Sequence, residues 1–270
     1  MFMDFIILPV FIILGFIIGS FLNVVVLRYN TQKSLGGRSA CMSCQNKLQW
    51  YELVPVFSFF ALRGRCRTCQ TKISMQYPLV EIVSGAIFGF IFWKFKEVFY
   101  VDPLIFAFTY SYYVTIFSIL LVITVYDIKH KIIPDVLAFI FGVFAFVGMF
   151  FFDSSSFNPL NSFYPHIPSL ADFLAGFVIS LPFAFFWWVS RGEWMGLGDA
   201  KLALGLGFLL GFAGTLSATV IAFWSGALIG VLLVLIRKVS GMKSEIPFAP
   251  FLVFGAFLVF VFGLNLFAIL

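Results

Sequence analysis

Apolar stretches of about 20 residues recur along nearly the whole of this chain, which is the length an α-helix needs to cross a bilayer. The chain has 270 residues, of which 62% are hydrophobic and 11% are charged. Charged residues make up about 25% of an ordinary globular chain. The sequence therefore predicts an all-α polytopic membrane protein and excludes a soluble domain.

We expect about eight membrane-spanning helices from these apolar runs. Their predicted ranges are 5–27, 78–93, 103–126, 133–152, 170–189, 200–212, 216–236 and 248–270. The second range is short for a span, and only residues 213–215 separate the sixth from the seventh. The first range has no positive charge before it and exceeds the apolar region of a secretory signal, so it is expected to remain as the first helix.

The basic residues lie asymmetrically around these spans. Segment 28–76 carries one acid, Glu52, against eight basic residues: Arg28, Lys33, Arg38, Lys47, Arg63, Arg65, Arg67 and Lys72. Because cytoplasmic loops are enriched in Lys and Arg, this segment is predicted to be cytoplasmic and both termini to lie outside. Alternation then places all 17 basic residues except Lys94 and Lys96 on the cytoplasmic side. The net charge of +5 follows from this topology, and no nucleic-acid-binding surface is expected.

All four cysteines lie in the predicted cytoplasmic segment, as Cys41-x-x-Cys44 and Cys66-x-x-Cys69. Two such pairs can supply four thiolates to a tetrahedral zinc ion. A small segment with little core of its own would be stabilised by such a metal, and Arg65 and Arg67 would offset part of the thiolate charge. The alternative is two disulfides or redox-active thiols, which a reducing cytoplasm disfavours.

The chain is therefore predicted to have three parts. They are a first transmembrane helix (1–27), a small cytoplasmic zinc-knuckle insert (28–76) and a seven-helix membrane core (77–270). Loop 153–169 is rich in Ser, Asn and Pro, which is typical of a connector.

Two aspartates stand at the edges of apolar runs. Asp127 follows residues 116–126, and Asp199 follows Gly196-Leu197-Gly198 just before another apolar run. A carboxylate costs roughly 2.5 to 3.5 kcal/mol near the centre of a spanning helix, so such groups favour polar cavities. The topology places both at the cytoplasmic ends of their helices, where packing could bring them together. Two close carboxyl groups share one proton, and such a pair can activate water and polarise a carbonyl.

Structural explanations compete with catalysis for each acid. Asp199 could be a helix N-cap and Asp127 a polar residue that ends a span. Asp135, after Pro134, fits a helix start and is expected to be structural. Gly196 and Gly198 are expected to let the backbone approach a substrate closely and to adopt angles closed to other residues.

Three further polar residues are candidates for supporting roles. Glu81, near the cytoplasmic end of the second span, would line the substrate path or hydrogen-bond within the bundle. Lys201 would extend to the interface or tune the two carboxyl groups. Asn23 is expected to hydrogen-bond between helices. Neither His130 nor His166 is expected to be catalytic.

Six motifs, taken together and in order, resemble those of the bacterial prepilin peptidases, also called type IV leader peptidases. They are Gly19-Ser20-Phe21-Leu22-Asn23-Val24, the two cysteine pairs, Tyr77-Pro78-Leu79-Val80-Glu81, Asp127 followed by Ile133-Pro134-Asp135, Gly196-Leu197-Gly198-Asp199-Ala200-Lys201, and Ile246-Pro247-Phe248-Ala249-Pro250-Phe251. The resemblance extends over nearly the whole chain.

The resemblance implies an intramembrane aspartic peptidase of the bacterial inner membrane, with Asp127 and Asp199 as its catalytic pair. Tyr126-Asp127 is also similar to the Tyr-Asp pair of presenilin-type proteases. The implied substrates are type IV prepilins or pseudopilins, whose short basic leader is removed on the cytoplasmic side of an apolar helix. Many family members then methylate the new N-terminus with S-adenosylmethionine, and this expectation depends on the resemblance alone because the insert has no Gly-rich nucleotide loop.

Two other functions stay open at the level of the residues. Intramembrane carboxylates also serve proton-coupled transporters, although the sequence has no clear inverted repeat. The two Cys-x-x-Cys pairs could make a membrane thiol oxidoreductase, which the predicted reducing compartment disfavours.

Overall fold

A computed structural model of the protein describes residues 2–31, 34, 36–152, 163, 165–236 and 246–267, with side chains from residue 6 onward. Lys33, Arg237, Lys238, Lys243 and most of the predicted connector 153–169 lie outside these residues. Regular structure within them is helical apart from two isolated β-bridges in the insert. The all-α prediction is confirmed.

Residues Met1–Lys96 form one compact unit. It contains α1 (Phe2–Arg28), a 3₁₀-helix (Trp50–Leu53), α2 (Phe57–Ala61) and most of α3 (Gln76–Val101). Helices α1 and α3 pack antiparallel through glycines. A Cβ on Gly15 would lie 2.7 Å from the Cα of Gly85, and one on Gly19 would lie 2.8 Å from the Cα of Glu81. Small residues permit this close approach of two membrane helices.

Residues Glu97–Leu270 form the second unit. Its helices are α4 (Pro103–His130), α5 (Asp135–Gly148), α6 (Leu170–Ser190), α7 (Leu197–Leu235) and α8 (Ala249–Phe262). Helix α7 packs against α5, α6 and α8, and α4 packs against α5 and α8. The largest fully buried side chains of this unit include Phe117, Phe141, Leu202, Leu206 and Leu252. Helix α7 is therefore the central element of the unit.

Helix α7 is interrupted at Gly211, whose φ of 67° and ψ of −176° are not helical. Glycine adopts positive φ without the steric cost that a Cβ imposes. The Thr215 hydroxyl donates to the carbonyl oxygens of Leu206 (2.9 Å) and Gly211 (2.7 Å) and so provides a donor at the break. A break therefore lies close to the predicted boundary between the sixth and seventh spans, at Gly211 and not at residues 213–215. Whether the two parts are separate spans stays a prediction.

Five helices within the described residues are long and apolar enough to cross a membrane, namely α1, α3, α4, α6 and α7. Helices α5 and α8 are apolar but shorter, with 14 residues each. Helix α3 is longer than its predicted span of 78–93, and α8 ends before residue 270. The count of about eight crossings stays a prediction.

Candidate active site and metal centre

Asp127 and Asp199 are buried acids of the second unit, with 5% and 8% of their surfaces exposed. Asp127 lies in the last turn of α4, and Asp199 lies in the first turn of α7. Their carboxyl groups are close enough to interact electrostatically. Buried carboxylates are rare in proteins unless they are paired or hydrogen-bonded, so each of these two is expected to have specific partners.

Asp127 is held from two sides. The helix ends one turn later, where Lys131 adopts a left-handed conformation and its N–H donates to the Asp127 carbonyl oxygen at 2.7 Å. The backbone N–H of Ala249, the first residue of α8, lies close enough to the Asp127 carboxyl group to interact with it electrostatically. The neighbouring Tyr126 ring packs on His130 with 4.4 Å between centroids. The carboxyl group therefore lies between the end of α4 and the start of α8.

Asp199 is the third residue of α7, and the N-cap is Gly196. Its carboxyl group lies near the backbone N–H of Gly196, the group that an acid at this position approaches in a capping box. The alternative that Asp199 is itself the N-cap is therefore wrong. Burial and the nearby Asp127 distinguish this acid from an ordinary exposed capping residue.

The glycines around Asp199 do not have the expected backbone conformation, whereas their predicted close approach to a substrate stays a prediction. Gly196 has φ −76° and ψ 149°, and Gly198 is not among the residues with positive φ. The expectation that they adopt angles closed to other residues is wrong. A Cβ on Gly198 would instead lie 2.7 Å from the Cβ of Ile133, which precedes α5. Gly198 thus permits close packing of the start of α7 on Ile133.

Asp135 and Lys201 form an ion pair, with 2.6 Å between Lys201 Nζ and Asp135 Oδ1. The Lys201 side chain is 43% exposed and the Asp135 side chain is 74% exposed. Exposed ion pairs contribute about 0 to 1 kcal/mol to stability. Asp135 is also the first residue of α5, after Pro134, in agreement with the predicted helix start.

Glu81 lies in the first unit and is also buried. Its carboxylate accepts a hydrogen bond from the N–H of Val56 in the insert at 2.6 Å, and the Ser20 side chain lies nearby. Glu81 thus hydrogen-bonds to the insert, and its role in a substrate path stays a prediction. Asn23 donates to the carbonyl oxygen of Tyr77 at 3.1 Å, which confirms the expected bond between α1 and α3.

The four cysteines of the insert converge. All four Sγ atoms lie within 4.8 Å of one another, and those of Cys41 and Cys69 are 3.7 Å apart. A tetrahedral zinc ion with Zn–S bonds of about 2.3 Å implies about 3.8 Å between sulfur atoms. The cysteines are free thiols, so the cluster can hold a metal ion.

The two cysteine pairs have the same local structure, and each is closed by one antiparallel bridge. In the first, the Cys41 N–H donates to the Asn46 carbonyl oxygen at 3.0 Å. In the second, the Cys66 N–H donates to the Thr71 carbonyl oxygen at 2.9 Å. The Asn46 amide donates to the Thr68 hydroxyl at 2.8 Å and joins the two turns. The insert is thus a symmetric pair of knuckles around the sulfur cluster.

The knuckles favour thiolates at two of the four positions. Hydrogen bonds from Thr71, whose hydroxyl oxygen lies 3.3 Å from the Cys69 Sγ, lower the pKa of Cys69 to about 6. Backbone N–H groups of Cys44 and Ser43 lower the pKa of Cys41. The thiolate is the form of cysteine that binds metals. These donors favour the ionised cysteines that a metal requires.

Of the two arginines expected to offset the thiolate charge, Arg67 contacts an aromatic side chain of the insert. The Arg67 guanidinium donates to the Tyr51 hydroxyl and lies 5.5 Å from the centroid of that ring. This contact ties the second knuckle to the 3₁₀-helix.

Two contributions to the site were missed by reasoning from side-chain patterns, namely the Ala249 N–H and the side chain of Ile133. Both lie in the family-like motifs, but neither has a chemical group that marks it. Ala249 begins a helix whose second residue is Pro250, and the first N–H groups of a helix lack partners within it. That signal indicates unpaired N–H groups at the start of α8, but it does not show that Asp127 is the group they face.

Two family models match the chain. The Bacterial Peptidase A24 N-terminal domain matches residues 13–95, and the Type IV leader peptidase family matches residues 114–231. No solved structure matches the chain.

Several curated relatives are named prepilin leader peptidase/N-methyltransferase. The Myxococcus xanthus protein is 31% identical over 239 residues, which is 86% of this chain and 65% of the relative. The Bacillus subtilis protein is 29% identical over 257 residues, 95% of this chain and 94% of the relative. The Pseudomonas aeruginosa protein is 27% identical over 282 residues, 93% of this chain and 89% of the relative. The chain thus spans just under two thirds of the first relative and most of the other two.

Proposed function

The chain belongs to the type IV leader peptidase family, and from this premise we propose that it is a membrane aspartic endopeptidase that removes the leader from type IV prepilins or pseudopilins and then methylates the new N-terminus. The observation that carries the catalytic assignment is the burial of two acids from different helices, Asp127 and Asp199, close enough to interact electrostatically. Family membership does not favour the transporter or the thiol oxidoreductase.

The proposed hydrolysis uses one proton shared by the two carboxyl groups. The ionised member removes a proton from water, and the resulting hydroxide attacks the scissile carbonyl carbon while the protonated member donates to the carbonyl oxygen. The C–N bond then breaks as the leaving amine takes up a proton from one carboxyl group. The other carboxylate takes a proton from a hydroxyl of the tetrahedral intermediate, which gives the carboxyl product and restores the single shared proton. The N–H groups of Ala249 and Gly196 would hold the two carboxyl groups in position through these steps.

The cysteine cluster has a structural role in this proposal. Cys41, Cys44, Cys66 and Cys69 would hold one zinc ion, which supplies folding stability to an insert with few buried residues. The donors to Cys41 and Cys69 support a thiolate site.

The methyltransferase activity is proposed from the names of the relatives, which include N-methyltransferase. Its acceptor would be the amine that peptide cleavage exposes, and S-adenosylmethionine is the methyl donor implied by the family resemblance. We assign no residue of this chain to that cofactor.

The proposed location is the bacterial inner membrane, with the insert and both aspartates on the cytoplasmic side. The asymmetric distribution of Lys and Arg supports this orientation. A substrate leader with basic residues would remain on the same side by the same rule.

The test is incubation of the detergent-solubilised protein with a purified prepilin, with and without S-adenosylmethionine, followed by mass analysis of both products. We expect cleavage between leader and apolar helix under both conditions, and one added methyl group on the mature product only with the cofactor. An intact prepilin after prolonged incubation with a folded enzyme would contradict the proposal. Cleavage without methylation would support the proposed peptidase activity and contradict the proposed methyltransferase activity.

A further inference from the structure

The insert exposes a cluster of apolar side chains, here called the insert face, made of Trp50, Leu53, Val54, Phe57 and Phe60. Trp50 and Phe57 are 78% and 72% exposed. The cluster lies on the 3₁₀-helix and on α2, which pack against each other. Single exposed apolar residues are ordinary, but a contiguous group of aromatic side chains marks a contact surface.

Helix packing and one hydrogen bond place the start of α2 beside α1 and α3. A Cβ on Gly19 of α1 would lie 2.8 Å from the Cα of Glu81 in α3, so these residues are at the same level. At 1.5 Å per residue, Gly19 lies about 13 Å along the helix axis from Arg28, the last residue of α1. The Glu81 carboxylate accepts the N–H of Val56, the N-cap of α2, at 2.6 Å. Helix α2 therefore begins alongside the apolar parts of α1 and α3.

The backbone at the start of α2 has an unfavourable conformation. Val56 has φ 61°, a conformation that a β-branched residue rarely adopts. Its N–H is bonded to a carboxylate that is itself only 6% exposed. A strained residue persists where surrounding contacts determine its conformation, so the entry of α2 is a fixed feature of the unit.

Charge around the insert face is positive. Arg63 and Arg65 are exposed and directly follow α2. The one acid of the segment, Glu52, accepts the N–H of Gln49 at 2.7 Å. Aromatic side chains beside exposed Lys and Arg are the composition of segments that lie in the headgroup region of anionic bilayers.

We propose that the insert face sits in the bilayer surface, with Trp50, Phe57 and Phe60 at the boundary between headgroups and acyl chains and with anionic phospholipid headgroups around Arg63 and Arg65. The insert is then held flat on the membrane from which α1 and α3 emerge. This placement does not depend on the peptidase assignment.

The experiment places a photoreactive benzoylphenylalanine at Phe57 or Phe60 in the full chain, reconstituted in vesicles of phosphatidylethanolamine and phosphatidylglycerol. Phe59 is the matched control, because it lies in the same helix and its ring tip would be 3.0 Å from a Cβ on Gly64. Lys72 is the control for an exposed charged position of the insert. After illumination, mass analysis of the chain reports lipid adducts, adducts within the chain and cross-linked dimers.

We expect lipid adducts at positions 57 and 60 to exceed those at 59 and 72 several-fold, with phosphatidylglycerol adducts over-represented relative to its share of the vesicle. Equal lipid yields at all four positions would overturn the proposal. So would dimers as the main product at position 57, which would assign the face to a second copy of the chain. In a second sample a prepilin is added to the vesicles. Replacement of the lipid adducts by adducts with that prepilin would show that the insert face binds substrate.

Discussion

At the scale of single residues, burial and contacts separate the acids of the second unit. Asp127 and Asp199 are buried and each lies near a backbone N–H group, whereas Asp135 is exposed and paired with Lys201. A general acid or base needs a defined position relative to the bond it acts on. The buried pair meets that requirement, and the surface ion pair does not.

Gly198 is predicted to be required for packing at this site. In Gly198→Ala the new Cβ would lie 2.7 Å from the Cβ of Ile133, so the start of α7 and the Asp199 carboxyl group must shift. Overpacking of this kind costs about 1 to 3 kcal/mol. We expect a lower melting temperature in detergent and a slower cleavage of prepilin.

Gly196→Ala is the matched control for that variant. A Cβ at Gly196 would have its nearest contact, Asp199 Oδ2, at 3.7 Å, and the backbone there is extended. We expect only a small loss, because alanine is a poorer N-cap than glycine. The assignment of Gly198 to packing on Ile133 fails if the two variants behave alike.

The residues that sequence alone identified are those with unusual chemistry for their surroundings. Asp127 and Asp199 are acids next to apolar runs, and the cysteine spacing is that of a metal knuckle. The Ala249 N–H and the contact of Gly198 with Ile133 could not be predicted this way. Each depends on which helices pack together, and neither a backbone donor nor an aliphatic side chain has a distinctive sequence pattern.

At the scale of helices, the break in α7 is the feature that hydropathy located least well. Apolar residues continue across residues 200–236, so composition does not mark where the helix stops. The position of the break is set by the positive φ of Gly211 and by the two bonds of the Thr215 hydroxyl. The sequence shows several glycines in this region, and it does not indicate which of them has the positive φ. The bonds of Thr215 are visible only in the three-dimensional structure.

The break predicts a contrast between two threonines. Thr215→Val removes the donor to two carbonyl oxygens, and hydrogen bonds within membrane bundles are worth about 0.6 to 1.7 kcal/mol. Thr219→Val removes one bond to the Thr215 carbonyl oxygen, inside regular helix. We expect the larger fall in thermal stability for Thr215→Val, measured by denaturation in detergent.

Gly211→Ala tests the same break from the backbone. An alanine at a positive φ costs roughly 1 to 2 kcal/mol, so we expect destabilisation although the change would favour a regular helix. An alanine variant more stable than the parent would mean that α7 is continuous in the membrane.

At the scale of the whole molecule, the two candidate sites lie in two separate parts of the sequence. The knuckles lie in the unit Met1–Lys96, and the acid pair lies in the unit Glu97–Leu270. The all-helical fold and the insert were predictable, because apolar length and cysteine spacing are local properties. The number and direction of the crossings depend on the membrane and stay predictions.

The separation predicts independent losses. We expect the purified protein to hold one zinc per chain, and Cys66→Ser to lower that content and make the insert sensitive to protease, because metal binding is coupled to folding. Asp199→Asn should retain full zinc. Elemental analysis of both variants checks this, and a metal-free parent protein would refute the structural zinc.

The central claim is that Asp127 and Asp199 act on the peptide bond as one unit, and the most direct measurement is the rate of prepilin cleavage by four variants in detergent. Asp127→Asn and Asp199→Asn should each slow cleavage about 10²- to 10⁴-fold, the range for loss of a general acid or base. The double variant should be no slower than the slower single variant, because residues that act together are not additive. Asp135→Asn should stay within a few-fold of the parent. Parent-like cleavage by either single variant of the buried pair would contradict the account.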